Sequence, residues 1–167
     1  KTLKTRDNGR SSDAVAPNFI YGCLGGCMSS YCYVGRYNHD KVYVNDNLDD
    51  ILSSISAWVN EQRWPKVANQ TDENYYTIDI GCSTDVALMT KFYDWQKVFD
   101  YFNEFHKVKS TFATKYPSRF PDKYYLKKGK HRIRVSLMPQ KYADILEPNT
   151  DPIWLRIEQI ARLASMN

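Results

Sequence analysis

Short apolar runs alternate with longer amphipathic stretches along most of the chain, and this alternation limits the folds that it can adopt. Strands that are separated by helices usually pair in parallel, with the helices packed over the sheet. The predicted strands cover residues 16–21, 75–80, 108–114 and 131–137, and the predicted helices cover 46–63, 86–105 and 152–164. Asp151 is the expected N-cap of the last helix, with Pro152 at its first position. The sequence therefore predicts an α/β fold with a parallel sheet of about four βα units.

The carboxyl ends of parallel strands meet at one edge of the sheet, where α/β folds bind their ligands. A cysteine-containing loop follows the first predicted strand, Cys82 follows the second, and Lys115 follows the third. The fourth predicted strand ends just beyond Ser136. We therefore expect these segments to lie close together, in what amounts to about half of a closed βα barrel.

The composition is that of an ordinary folded domain, with 167 residues of which 43% are apolar and 14% aromatic. No run approaches the about 18 consecutive apolar residues of a membrane-spanning helix, and the polar start lacks the apolar segment of a secretory signal. We expect a soluble, cytoplasmic protein with a polar lead-in over residues 1–15 and one domain over 16–167. The net charge of +4 is too small to indicate nucleic-acid binding by itself.

Three of the four cysteines, Cys23, Cys27 and Cys32, fall within ten residues, on a loop rich in glycine. Cysteine thiolates suit iron-sulfur clusters and zinc, and glycines let a backbone turn tightly around a metal centre. A closed zinc site needs four ligands, whereas this loop offers three and leaves one coordination position open. The pattern favours an iron-sulfur site over zinc or a chance cluster.

The loop resembles that of the radical S-adenosylmethionine (SAM) enzymes, in which a cluster loop follows the first strand of a βα barrel. Their usual pattern is C-x3-C-x2-C, with an aromatic residue before the last cysteine. Here Cys23 and Cys27 keep the first gap and Tyr31 precedes Cys32, but the second gap is C-x4-C, two residues longer than usual.

Further short motifs resemble the spore photoproduct lyase family within that superfamily. They are Y-C-Y at 31–33, G-C-S-T-D at 81–85, T-K at 114–115, R-V-S at 134–136 and E-P-N-T at 147–150. They occur in the order that the family shows, and the resemblance covers residues from about 19 to 164. Several weak motifs in register are more specific than any one of them.

This resemblance implies a partial radical SAM (β/α) barrel, a TIM-barrel relative, that reverses a methylene-bridged thymine dimer in DNA. A 4Fe-4S cluster would reduce SAM to a 5′-deoxyadenosyl radical, which abstracts hydrogen from the dimer. The implied cluster ligands are Cys23, Cys27 and Cys32, and the implied SAM contacts are Ser83, Lys115, Ser136 and Tyr31. Cys82 would return a hydrogen atom to the thymine radical, and Tyr31 and Tyr33 would pass the radical back to the cofactor.

The resemblance also implies two partners, DNA that contains a thymine lesion and an electron donor such as flavodoxin or ferredoxin. Family members have more strands and a longer N-terminal region, so this chain is expected to hold the cofactor half of the barrel. Residues 123–134 interleave aromatic residues with lysines and arginines, which suits either DNA contact or a solvated loop.

Two other functions stay open at this stage. One is a related radical SAM enzyme with a different substrate, and the other is a non-catalytic nucleic-acid-binding module whose cysteines hold zinc. Simpler structural roles also stay open for single residues. Cys82 can be a small buried apolar side chain, Asp85 is best interpreted as a helix cap, and the histidines show no ligand spacing.

Overall fold

A computed structural model of the chain describes residues 4–17, 19–25 and 41–166. The strands in these ranges are β1 Arg6–Asp7, β2 Ala14–Val15, β3 Ile20–Tyr21, β4 Tyr43–Val44, β5 Tyr76–Asp79, β6 Val108–Thr114 and β7 His131–Val135. Five of them form one sheet in the order β1-β2-β5-β6-β7. β2, β5, β6 and β7 pair in parallel, and β1 joins β2 in antiparallel orientation at one edge. The predicted α/β fold with a mainly parallel sheet is confirmed, as an open portion of a βα barrel.

The first parallel strand lies earlier in the chain than the predicted segment 16–21. β2 pairs with β5 through Ala14 and Val15, and the Ala16 N–H donates to the Asp79 carbonyl. Pro17 then has no N–H to continue the ladder. β3 instead pairs antiparallel with β4 in a separate two-stranded ribbon. The prediction was wrong because a strand of two residues leaves no periodic pattern in the sequence.

The helices are α1 Leu48–Asn60, α2 Trp95–Glu104, α3 Gln140–Leu146 and α4 Ile153–Ser165. α1 and α4 confirm two predicted helices, and α3 was not predicted. The predicted helix over 86–105 is wrong in its first half, where a turn and the 3-10 segment Thr90–Phe92 precede α2. α2 starts anew because the Asp94 carboxylate accepts the Lys97 N–H at 3.3 Å. Within the described residues, no helix is long and apolar enough to cross a membrane.

Asp151 does not cap α4, in contrast to the prediction. Pro152 occupies the N-cap position, and the N–H of Ile153, the first residue of α4, donates to Oε1 of Gln140 at 2.7 Å. The Asp151 carboxylate instead accepts the N–H of Ser118 at 2.9 Å. This bond ties the loop that follows β6 to the start of α4.

The core lies between the sheet and the helices. Trp95, Phe99 and Phe102 of α2 are fully buried, and the Phe99 ring lies 6.5 Å from Phe112 of β6 and 6.0 Å from Phe120. Aromatic contacts at these distances contribute beyond simple area burial. This packing holds α2 against β6 and so fixes the position of β6 in the sheet.

The sheet also buries polar groups that are paired with one another. The ammonium of Lys66 lies 2.8 Å from the Asp13 carboxylate, which also accepts bonds from the backbone and hydroxyl of Thr77. Hydrogen bonds from Lys66 and Thr77 hold the pKa of Asp13 below its usual value in spite of burial. Buried polar groups are tolerated when they are paired in this way.

Candidate functional site

The carboxyl ends of β5, β6 and β7 border a cavity of about 150 Å³. Four residues that were singled out from the sequence line this cavity: Cys23, Cys82, Lys115 and Ser136. They come from four separate segments, the loop after β3 and the positions that follow β5, β6 and β7. The prediction that these segments meet at one edge of the sheet is confirmed for these four residues. The other lining residues are Gly81, Thr84, Asp85, Ala113, Thr114 and Tyr116.

Four predicted site residues, Cys27, Tyr31, Cys32 and Tyr33, lie outside the described residues, and their roles stay predictions. Cys23 is therefore the one predicted cluster ligand that the structure describes. In the described part of the chain, no three histidine, cysteine, aspartate or glutamate side chains are grouped as metal ligands.

The surroundings of Cys23 suit a cluster ligand. Cys23 is 6% exposed, and its Sγ accepts the N–H of Gly25 at 3.3 Å. A Cβ on Gly25 would lie 3.2 Å from that sulfur and 3.1 Å from the Tyr116 hydroxyl, so glycine keeps the space around the sulfur open. N–H bonds to cysteine sulfur tune iron-sulfur clusters. The one described donor, a buried cysteine sulfur, is of the type that the implied cluster binds.

Cys82 lies in the turn that follows β5 and lines the cavity with its protonated thiol. Burial raises the pKa of this thiol, although a hydrogen bond with Ser83 acts in the opposite direction. Its sulfur lies 3.6 Å from the Ser83 hydroxyl oxygen. The Cys82 side chain therefore keeps its S–H proton at neutral pH.

The two hydroxyl residues next to Cys82 differ in their placement. Thr84 lines the cavity, and its buried hydroxyl has no hydrogen-bond partner among the described residues. Ser83 is absent from the cavity lining, and its carbonyl accepts the Gly22 N–H at 3.1 Å. Ser83 was the predicted contact, and Thr84 was not predicted to have a role. The motif alone offered no signal to choose between neighbouring hydroxyls.

Asp85 joins the turn after β5 to the end of β6. Its carboxylate accepts bonds from the Thr114 hydroxyl at 2.8 Å, the Lys115 N–H at 2.9 Å and the Ala87 N–H at 3.1 Å. Burial raises the pKa of this carboxyl against the effect of these bonds. The expected helix cap is wrong because a turn rather than a helix follows Asp85. Asp85 instead fixes the backbone of Lys115 at the cavity.

Lys115 and Ser136 are contacted by a pair of charged residues, Glu147 and Arg156, for which no role was predicted from the sequence. The Lys115 ammonium lies 3.8 Å from the carboxylate of Glu147, and the Ser136 carbonyl accepts a bond from Arg156 at 2.8 Å. Both Glu147 and Arg156 are fully buried. The sequence did contain a signal that Arg156 is buried. It lies seven residues, or about two helical turns, before the buried Leu163, and so on the same face of α4.

Much of the basic segment 123–134 is tied into the fold. The buried ammonium of Lys130 donates to the carbonyls of Phe105 and Val108, and the His131 ring lies between Ser110 and Asn103. Burial lowers the pKa of Lys130 to about 8 and that of His131 to about 4. The exposed lysines of the segment are Lys123, Lys127 and Lys128. DNA contact by the segment stays a prediction, restricted to these exposed side chains.

A family model described as spore photoproduct lyase matches residues 1–167. The chain belongs to the spore photoproduct lyase family. A comparison with curated proteins finds no match. The family assignment therefore rests on a match over all 167 residues rather than on one motif.

Solved structures share the fold. Spore photoproduct lyase complexed with dinucleoside spore photoproduct matches with a TM-score of 0.77 and 23% identity, over 99% of this chain and 46% of that one. A variant with bound AdoMet and dinucleoside spore photoproduct matches with a TM-score of 0.76 and 22% identity, over 99% and 46% of the two chains. This chain thus spans less than half the length of these relatives.

Proposed function

We propose that this chain acts as a radical SAM lyase on a thymine lesion in DNA. The observation that carries the proposal is the cavity where Cys23, from the predicted cluster loop, meets Cys82, Lys115 and Ser136. Membership of the spore photoproduct lyase family supports this class of reaction. The bound AdoMet and dinucleoside spore photoproduct in a solved relative support the cofactor and the type of substrate.

In this proposal Cys23, Cys27 and Cys32 hold a 4Fe-4S cluster through three thiolates. When bound, the cluster and SAM supply a 5′-deoxyadenosyl radical that removes a hydrogen atom from the lesion. The role of Cys23 is supported by its burial and by the N–H bond from Gly25 to its sulfur. Gly25 leaves space beside the sulfur, and Cys23 lines the cavity.

Lys115, Ser136 and Thr84 are the proposed contacts of SAM among the cavity residues. An ammonium forms strong hydrogen bonds with a carboxylate, and hydroxyl groups both donate to and accept from a ribose. The unpartnered hydroxyl of Thr84 supports its inclusion. Ser83 and Tyr31 remain proposed contacts on the resemblance alone.

Cys82 is the proposed hydrogen-atom donor. A thiol can transfer a hydrogen atom to a carbon radical: the S–H bond breaks, a C–H bond forms, and the unpaired electron remains on sulfur. A thiolate cannot do this, so the raised pKa of Cys82 supports the role. Tyr31 and Tyr33 would then give a hydrogen atom back to the sulfur and return the radical to the cofactor.

The proposed partners are lesion-containing DNA and an electron donor such as flavodoxin or ferredoxin. The exposed ammonium groups of Lys123, Lys127 and Lys128 are candidates for contacts with DNA phosphates. Contacts of this type position a protein on DNA without reading its sequence. Recognition of the lesion itself would then depend on the cavity.

One experiment separates this proposal from its alternatives. The protein is reconstituted with iron and sulfide without oxygen, reduced with dithionite and incubated with SAM and dinucleoside spore photoproduct. The proposal predicts repaired thymine from the lesion, release of 5′-deoxyadenosine in a parallel incubation without the lesion, and loss of both in Cys23→Ala. Cleavage of SAM without lesion repair would favour another radical SAM enzyme. Stoichiometric zinc without cleavage of SAM would favour the zinc-holding module.

A further inference from the structure

Arg156 and Glu147 form an ion pair that is sealed from solvent. An Nη2 atom of Arg156 lies 2.7 Å from Oε2 of Glu147, and both side chains are 0% exposed. Removing two charges from water costs more free energy than a simple ion pair usually returns. A pair like this is therefore poor evidence for stability alone, and its remaining contacts indicate what it does.

Arg156 connects the residues that follow β6 and β7. Its Nη1 donates to the carbonyl of Ser136 at 2.8 Å, and its Nε donates to the carbonyl of Asp151 at 2.7 Å. The Asp151 N–H in turn donates to the carbonyl of Lys115 at 3.2 Å. A guanidinium presents its donors in a rigid fork, so one side chain sets the spacing of these strand ends.

Glu147 connects the same pair to the side chain of Lys115. Its Oε1 lies 3.8 Å from the Lys115 ammonium, while its Oε2 faces Arg156. Arg156 and Lys115 thus carry two positive charges against the one negative charge of Glu147. A net positive charge therefore remains at this edge of the cavity. An ammonium has three donors and can bind a further anion while it remains near Glu147.

We infer that Arg156 and Glu147 are positioning residues, which hold Lys115 and Ser136 together as one anion-binding edge of the cavity. The inference rests on the proposed function, because the anion that this edge would bind is the carboxylate of SAM. Neither residue lines the cavity, so both act through the groups that they hold.

The test is a double-variant cycle on Glu147 and Lys115. Wild type, Glu147→Gln, Lys115→Met and the double variant are reconstituted, and the Kd for SAM is measured by equilibrium dialysis. Glu158→Gln on the exposed side of α4 is the matched control, because it removes the same charge away from the cavity. The thermal midpoints of the same proteins are measured without SAM.

We expect Glu147→Gln to weaken SAM binding about ten-fold, because the Lys115 ammonium loses the carboxylate that holds it at the cavity and its contact with SAM is weakened. In the Lys115→Met background the same substitution should change the Kd by less than about two-fold, since the group through which it acts is gone. Glu158→Gln should leave the Kd unchanged. The inference is overturned if the losses of SAM affinity in Lys115→Met and Glu147→Gln are additive, or if Glu147→Gln binds SAM with the wild-type Kd. Either result leaves the proposed function intact.

Absence of SAM binding in the wild type would instead count against the proposed function. In that case the thermal midpoints test the positioning role. Coupled decreases of the midpoint in Glu147→Gln and Lys115→Met would support the role, and additive decreases would contradict it. If Glu147→Gln does not fold, Glu147→Asp keeps the charge and withdraws it from Lys115. That variant should fold and still bind SAM less tightly than the wild type, and an unchanged Kd would contradict the inference.

Discussion

The guanidinium of Arg134 lies 2.7 Å from the carboxylate of Asp79 and joins β7 to the end of β5. The other oxygen of that carboxylate accepts the N–H of Gly81 at 2.9 Å. Gly81 immediately precedes Cys82, so the ion pair supports the turn that carries the proposed hydrogen donor.

Arg134→Leu should destabilise the fold, because it leaves the Asp79 carboxylate buried without its cation. We expect a loss of about 2 kcal/mol in the free energy of unfolding, less than for a sealed pair because the Arg134 side chain is 29% exposed. Urea denaturation measures the loss. Lys97→Met is the control, since its pair with Asp49 is largely exposed and contributes at most about 1 kcal/mol. Equal losses in the two variants would contradict the structural role of Arg134.

Acid should destabilise the protein through His131. Burial lowers the pKa of this ring to about 4 from its usual 6.5, so the unfolded chain takes up the proton at a higher pH than the folded chain. Stability from this group is complete above pH 6.5 and is lost as the pH falls from 6.5 towards about 4. The full loss amounts to about 3 kcal/mol.

Unfolding free energies of the wild type and His131→Gln over that pH range test this account. The variant should lack most of the decline between pH 6.5 and 4. His106→Gln is the control, because His106 is exposed and its removal should leave the decline in place. A decline of the same size in His131→Gln would assign the acid sensitivity to other groups.

Thr84→Val should weaken SAM binding more than Ser83→Ala does. The Thr84 hydroxyl lines the cavity and has no partner among the described residues, whereas Ser83 is absent from the lining. Loss of one neutral hydrogen bond predicts a five- to ten-fold rise in Kd, or about 1 kcal/mol. Valine matches the shape of threonine, so the thermal midpoint should not fall. The reverse order of Kd values would restore Ser83 as the contact.

The sequence predicted the parallel sheet because long elements carry a clear period. β6 was predicted with its observed bounds, and α1 differs from its prediction by a few residues. The predicted helix over 86–105 was wrong in its first half because apolar spacing continues through a break that Asp85 and Asp94 impose by hydrogen bonds. α3 was not predicted, although Pro139 occupies its N-cap position and proline is common at the start of helices.

The sequence predicted the positions of those site residues that follow the ends of parallel strands. Cys82, Lys115 and Ser136 follow successive parallel strands, so topology alone brings them to one cavity. The spacing on α4 indicates only that Arg156 is buried, and the contribution of Arg156 and Glu147 to the site depends on tertiary contacts across α4 and the preceding loop. The cluster loop beyond Gly25 stays a prediction from the family resemblance.

The central claim is that Cys82 gives a hydrogen atom to the repaired thymine. Its thiol proton exchanges with solvent, so repair of dinucleoside spore photoproduct in D₂O by the reconstituted protein measures the transfer directly. Mass spectrometry of the product should show one solvent deuterium in thymine with the wild type, while Cys82→Ala should cleave SAM and give aberrant products. Thymine without solvent deuterium from the wild type, or normal labelled product from Cys82→Ala, would contradict the account.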